Sequence, residues 1–169
     1  VSELFDLANA FANQPLPNGK RLAIVTNAGG PGIIATDAAE RLRLQLASFS
    51  PETVARLREQ LPPTASVYNP VDIIGDALAD RYQIAIDAVL PDPNVDGLLV
   101  LLTPQAVTQV EETARVMASY AKKTDKPILA SFIGGERIQE GIAILRDAGI
   151  PNYAFPEGAI GAFKAMADF

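Results

Sequence analysis

The densest chemical signal in the chain is Thr26-Asn27-Ala28-Gly29-Gly30-Pro31-Gly32. Three glycines fall where an apolar run passes into a helical pattern, so unpaired N–H groups and the positive end of a helix dipole can face an anion. Phosphate is the natural guest, with Asn27, Ala28, Gly29, Gly30 and Gly32 as candidate phosphate-binding residues. A second reading stands beside it, in which the glycines only permit a cramped turn and close strand–helix packing. The segment has neither the Gly-Lys-Ser/Thr of a Walker loop nor the spacing of the dinucleotide fingerprint.

Three more segments carry polar groups at comparable places. Asn69-Pro70-Val71-Asp72-Ile73-Ile74-Gly75 is a semi-apolar loop with one carboxylate. Asp72 is the chain's one candidate for a catalytic role, as a base or as the partner of a distant imidazole, and it equally suits the cap of a helix over residues 77–90. Thr103-Pro104-Gln105 ends a second apolar run, and Gly134-Gly135-Glu136 a third, where Glu136 would oppose a phosphate. Asn69, Asp72, Gly75, Thr103, Gln105, Gly134 and Gly135 are therefore candidates for a site edge or a domain interface.

What is missing narrows the chemistry further. The 169 residues contain no histidine and no cysteine. A self-contained Ser-His-Asp hydrolase, a thiol nucleophile and a histidine or thiolate metal site are excluded, and no metal site is expected. A net charge of −6 gives no basic stripe for nucleic acid or an anionic membrane. No apolar run approaches the roughly 20 residues that span a bilayer. The lack of cysteine fits a reducing compartment, and a cytoplasmic location is expected.

These segments need a scaffold that brings them to one edge. Residues 22–26, 96–103 and 127–132 are continuous apolar runs rich in β-branched residues and leucine, suited to strands buried on both faces. Helical patterns follow over residues 33–44, 109–123 and from 135 to about 147, with others at 51–60, 79–90 and 156–169. Strands alternating with amphipathic helices predict an α/β fold of three layers, doubly wound around a mainly parallel, flavodoxin-like sheet of about five strands. Ligands of such sheets bind beyond the carboxyl ends of the strands, where residues 27–32, 103–105 and 133–136 fall, with the irregular segment 69–75 as a fourth candidate. Residues 1–19 read as an entry helix and a Pro/Gly-rich linker from a preceding domain, and residues 20–169 as the domain itself.

Read together, TNAGGPG, NPVDIIGDA, DPNVDGLLVLLTPQ, KPILASFIGG and AGIPNYAFPEGAIGA resemble the CoA-ligase domain of NDP-forming acyl-CoA synthetases, over roughly residues 21–169. The chain is more distantly similar to the carboxy-terminal domain of the succinyl-CoA synthetase beta subunit, where an Asn-Gly-Ala-Gly turn occupies the place of residues 27–30. The resemblance implies an acid–thiol ligase that interconverts acyl-CoA, ADP and phosphate with acid, CoA and ATP through a phosphorylated histidine. It implies that residues 27–36 face that phosphohistidine as one of two opposed helix N-termini. Companion CoA-binding, phosphohistidine-bearing and ATP-grasp domains are then expected elsewhere in the chain or complex, and the isolated domain is expected to be inactive. No cofactor is expected to bind tightly here, with CoA, ADP or ATP with Mg, and phosphate expected of the full-length protein. Two alternatives stay open: an acyl-CoA- or nucleotide-sensing module of a fused lysine acetyltransferase, and a scaffold domain.

Overall fold

Five parallel strands carry the molecule, and their burial follows from their composition. The computed structural model describes residues 2–169, without the side chains of Ser2, Glu3 and Asp6. β1 (Arg21–Thr26), β4 (Gly97–Leu102) and β5 (Ile128–Phe132) are the apolar runs, and all six residues of β4 are buried. β4 pairs with β1 on one side and β5 on the other. The free flank of β1 is shared by two short strands placed end to end. β2 (Gln45–Leu46) pairs with Arg21 and Leu22, and β3 (Val71–Asp72) with Val25 and Thr26. A parallel bridge from Ala130 to Asn152 extends the far edge. Counting β2 and β3 as one position, the order is that of the flavodoxin type.

Successive strand residues point to opposite faces, and the two faces bury different helices. Leu22, Ile24, Leu99, Leu101 and Leu129 pack beneath α2 (Gly29–Arg41) and α7 (Pro156–Asp168). Ala23, Val25, Leu98, Val100 and Leu102 pack against α3 (Pro51–Gln60), α4 (Ala79–Val89), α5 (Val110–Tyr120) and α6 (Gln139–Asp147). Each buried Leu or Ile contributes about 1.5–3 kcal/mol. Local signals set the helix starts: Ser50 accepts the N–H of Thr53, and Pro51 and Glu52 open α3. α1 (Ser2–Asn13) lies along α7, with Phe11 edge-to-face on Phe169. The segment after α1 is tied to the sheet by Gln14, whose amide donates to Gly149 O and accepts the Ile128 N–H, each at 2.7 Å.

Two expectations change. The helix predicted over residues 33–44 begins earlier, at Gly29, and ends at Arg41, and Gln45 and Leu46 beyond it form β2. The loop expected over residues 69–75 contains β3. Its pairing is set by Asn69, whose side chain fills the gap between β2 and β3: the amide donates to Leu22 O and Ala47 O, and its oxygen accepts the Ile24 N–H. A side chain thus satisfies the Ile24 N–H, and adds a second donor to Leu22 O beside the Ala47 N–H, in the gap between the two short strands. The side chain of Asn69, a candidate for a site edge or a domain interface, is held within the sheet.

Candidate functional site at the carboxyl edge of the sheet

The strand ends converge through polar cross-links. The Asn27 side chain is buried and donates to Thr103 O while accepting the Thr103 N–H, both at 2.9 Å, so it extends the β1–β4 ladder by one rung. Its backbone N–H donates to the phenol of Tyr82, which in turn donates to Leu101 O at 3.0 Å. Burial first, and then the charge of Asp72, push that phenol well above its ordinary pKa, so it stays a neutral hydrogen-bonding strut. Sequence reasoning missed Tyr82, because in α4 it sits on the ordinary apolar stripe with Ala79, Ala85, Ile86 and Val89.

These bonds decide which donors of the glycine turn are free. The Ala28 N–H is taken by the Thr26 hydroxyl at 3.1 Å, and that hydroxyl donates back to Ala28 O. Gly32 N–H points to Ala28 O at 3.5 Å, and Pro31 has no N–H. The start of α2 has no side-chain cap and no acid in its first turn. Among the described residues, the N–H groups of Gly29 and Gly30 are the two of the turn left without a partner. Of the five candidate phosphate-binding residues, Gly29 and Gly30 keep free N–H donors, whereas the Ala28 N–H is bonded within the protein and Gly32 packs against β1.

The glycines themselves divide in the same way. A Cβ on Gly32 would stand 3.3 Å from Thr26 Cγ2, so Gly32 is needed for close strand–helix packing. A Cβ on Gly30 would meet nothing within 4 Å, and one on Gly29 only Asp72 Oδ2 at 3.5 Å. Neither Gly29 nor Gly30 has a positive φ. The chain itself has no steric use for either glycine, and the packing explanation covers one glycine of three.

Asp72 lies beside this helix end. One carboxylate oxygen accepts the Ile74 N–H at 2.9 Å, and the other faces Gly29. The turn holds Ile74 at φ 71, a left-handed conformation that a β-branched residue seldom adopts. Arg81 braces the loop by donating to Ile73 O and to Asp76. Asp72 does not cap α4; the Ala79 N–H at that helix start is taken by Gln109. A hollow of about 210 Å³ runs along Thr26, Gly29, Gly32, Ile33, Thr36, Asp37, Pro70 and Asp72. A larger one, about 650 Å³ beside Ile86, Tyr120 and Lys126, opens at the opposite, amino edge of the sheet and is remote from the turn.

The remaining candidates form the outer rim. Gly75 comes close to Gln105 and to Asn27 O, and Arg137 donates to Gln105 O at 2.8 Å. Gly134 lies against Pro104, and Gly135 has φ 58, so both glycines of that loop are accounted for by packing and turn geometry. The structure thus brings Asp72, Gly75, Thr103 and Gln105 to the glycine turn. Among the described residues, no three acidic side chains are grouped so as to hold a metal ion, and no helix is long and apolar enough to cross a membrane.

Residues 22–165 match the family described as the Ligase-CoA domain. The chain is 40% identical over 172 residues to the 4-hydroxybutyrate–CoA ligase (ADP-forming) of Nitrosopumilus maritimus, covering 100% of this chain and 24% of that protein. It is 38% identical over 170 residues to the alpha subunit of acetate–CoA ligase (ADP-forming) II of Pyrococcus furiosus, covering 98% of this chain and 37% of that subunit. A solved dinucleotide-forming acetyl-coenzyme A synthetase 1 from Ca. Korarchaeum cryptofilum, in complex with phosphate and ADP, superposes with a TM-score of 0.91 at 33% identity, covering 98% of this chain and 36% of that one. The chain therefore spans about a quarter to two-fifths of the proteins it matches.

Proposed function

The chain belongs to the Ligase-CoA domain family, and on that premise we propose that it is the part of an ADP-forming acyl-CoA synthetase that receives a phosphoryl group carried on a histidine of a companion domain. The overall reaction converts acyl-CoA, ADP and phosphate into acid, CoA and ATP, and the phosphoryl group passes through the histidine on its way from phosphate to ADP. This chain supplies no nucleophile, since it has no histidine. Its contribution is a pair of fixed N–H donors, on Gly29 and Gly30, and the positive end of α2.

The observation that carries the reading is the selective freedom of those two donors. Every other N–H in residues 27–32 is consumed inside the protein, while Gly29 and Gly30 keep both their N–H groups and the open space in front of them. Asp72 refines the choice of guest. A carboxylate beside the donors repels bare phosphate, but it accepts an N–H from an imidazole that carries a phosphoryl group. A phosphohistidine presents both halves. CoA and the nucleotide are assigned to the companion domains, because the groups gathered here match a phosphoryl group and offer no base or ribose pocket. Residues 1–19 are then the junction with the preceding domain.

The test uses the full-length protein and follows the phosphohistidine formed from ATP by 31P NMR or radiolabel, in the parent and in Gly29 and Gly30 variants. Loss of the phosphorylated intermediate with the fold intact supports the reading. A parent protein that binds acyl-CoA yet forms no phosphohistidine would instead make the chain a sensing module.

A further inference from the structure

We propose that the cleft between the later turns of α2 and the first turn of α7 is a docking surface for a companion-domain segment that presents lysine or arginine next to apolar side chains. The proposal rests on the reading above for the partner's identity, and its own observations concern a different surface. α2 is built inside out. Its buried positions are Gly32, Ala35, Ala38 and Ala39, all small. Its two large apolar residues, Ile33 and Ile34, point away from the core and are 64% and 45% exposed. Isoleucine is costlier than alanine in a helix, so the pattern spends its bulk on the outer face, where only a partner can cover it. Phe155, at the start of α7, is 65% exposed at the same edge.

The charges around these residues select the occupant. The cleft, about 640 Å³, is lined by Ile34, Asp37, Glu40 and Arg41 from α2 and Glu157 from α7. Glu157 also borders a second hollow with Phe155, which makes the two apolar spots one surface. Among the described residues, none of the three carboxylates enters an ion pair. Three acids against one arginine leave a negative cleft flanked by apolar residues, complementary to a segment that is basic and apolar together. A second copy of this chain is a poor match, because its own net charge is −6.

The test exploits the absence of cysteine from this chain. Ile34→Cys and Phe155→Cys are introduced singly into the full-length protein, and maleimide labelling at each position is followed by mass spectrometry, folded and in urea. Both positions are expected to label at least about tenfold more slowly in the folded protein, and Glu40→Lys with Glu157→Lys, the loss of two exposed pairs, should remove about tenfold of that protection. High salt should remove part of it. Folded and unfolded rates that agree, or protection indifferent to charge reversal, would overturn the proposal. Protection that disappears on dilution would also overturn it, by making the occupant a second copy. Phosphohistidine formation that is lost in the Gly30 variant while protection stays full shows the two readings failing or standing separately.

Discussion

Replacing either free glycine by alanine should stabilise the domain and damage its chemistry at once. In Gly30→Ala the new methyl meets no atom within 4 Å, and in Gly29→Ala its nearest neighbour is Asp72 Oδ2 at 3.5 Å, an ordinary contact. Neither position has a positive φ, so alanine relieves the helix of glycine's excess unfolded entropy. The gain is about 0.5–1 kcal/mol in a helix interior, toward the low end in a first turn, which raises Tm by about 1–3 °C for a chain of this size. Gly161, inside α7 and equally free of neighbours, is the control: Gly161→Ala should stabilise as much and leave activity alone. If the methyl at position 30 displaces one charge-assisted bond to the phosphoryl oxygens, about 1.5–3 kcal/mol is lost, roughly ten- to a hundredfold in phosphoryl transfer. Thermal melting and single-turnover labelling of the full-length protein measure the two effects. Unchanged transfer in a stabilised Gly30→Ala protein would refute the argument that the open space belongs to a guest. A lower Tm would refute the claim that the chain has no use for the glycine.

Asn69→Ala strands the Ile24 N–H and two carbonyl contacts inside the sheet, so it should cost about 2–5 kcal/mol in urea unfolding. Tyr82→Phe removes the acceptor of the Asn27 N–H and the donor to Leu101 O; a loss of about 1–3 kcal/mol is expected, together with weaker phosphoryl transfer than Gly161→Ala shows. Asp96 lies below the usual carboxylate range because Arg21 donates to it, an effect larger than its burial, and Asp92 because donors from Thr53, Asn94 and Ser50 together outweigh its burial. A depressed folded pKa gives stability that is fully present above the unfolded value of about 4 and lost as pH falls through the folded one. Asp92→Asn and Asp96→Asn should therefore be less stable at pH 7 and show a flatter decline below pH 4. The 169-residue chain alone should form no ATP from acyl-CoA, ADP and phosphate, and nucleotide production above a no-protein blank would remove the need for a companion histidine.

Strands long enough to be buried on both faces announce themselves, which is why β1, β4 and β5 were legible from apolar runs alone. β2 and β3, two residues each, have no such signature. They exist because Asn69 reaches across to three backbone groups of β1 and the β2 edge, and a residue that reads locally as a turn starter gives no hint of that reach. The same limit governs the site. Glycine spacing located the turn correctly, but one-dimensional spacing treats residues 27, 28, 29, 30 and 32 alike. Only the bonds made in the fold, a tertiary one from Tyr82 and a local one from the Thr26 hydroxyl, separate spent donors from free ones.

That separation also explains how a turn with so few free donors can serve a charged guest. Two N–H groups and a half-charge helix end do not bind free phosphate strongly against a neighbouring carboxylate in water. They suit a phosphoryl group delivered already tethered, since the tether removes the entropy of capture and leaves the donors only the task of orientation. The rigid support under the turn fits this role. Asn27, Thr103, Tyr82 and Asp72 are each fixed by backbone bonds, so the two donors keep their directions whether or not a guest is present. Asn27→Ala would loosen the donors without touching them. It should slow single-turnover transfer from a phosphorylated histidine by about tenfold, the worth of one buried bond. Transfer at the parent rate would mean that the tether alone sets the geometry and that the rigid turn is incidental.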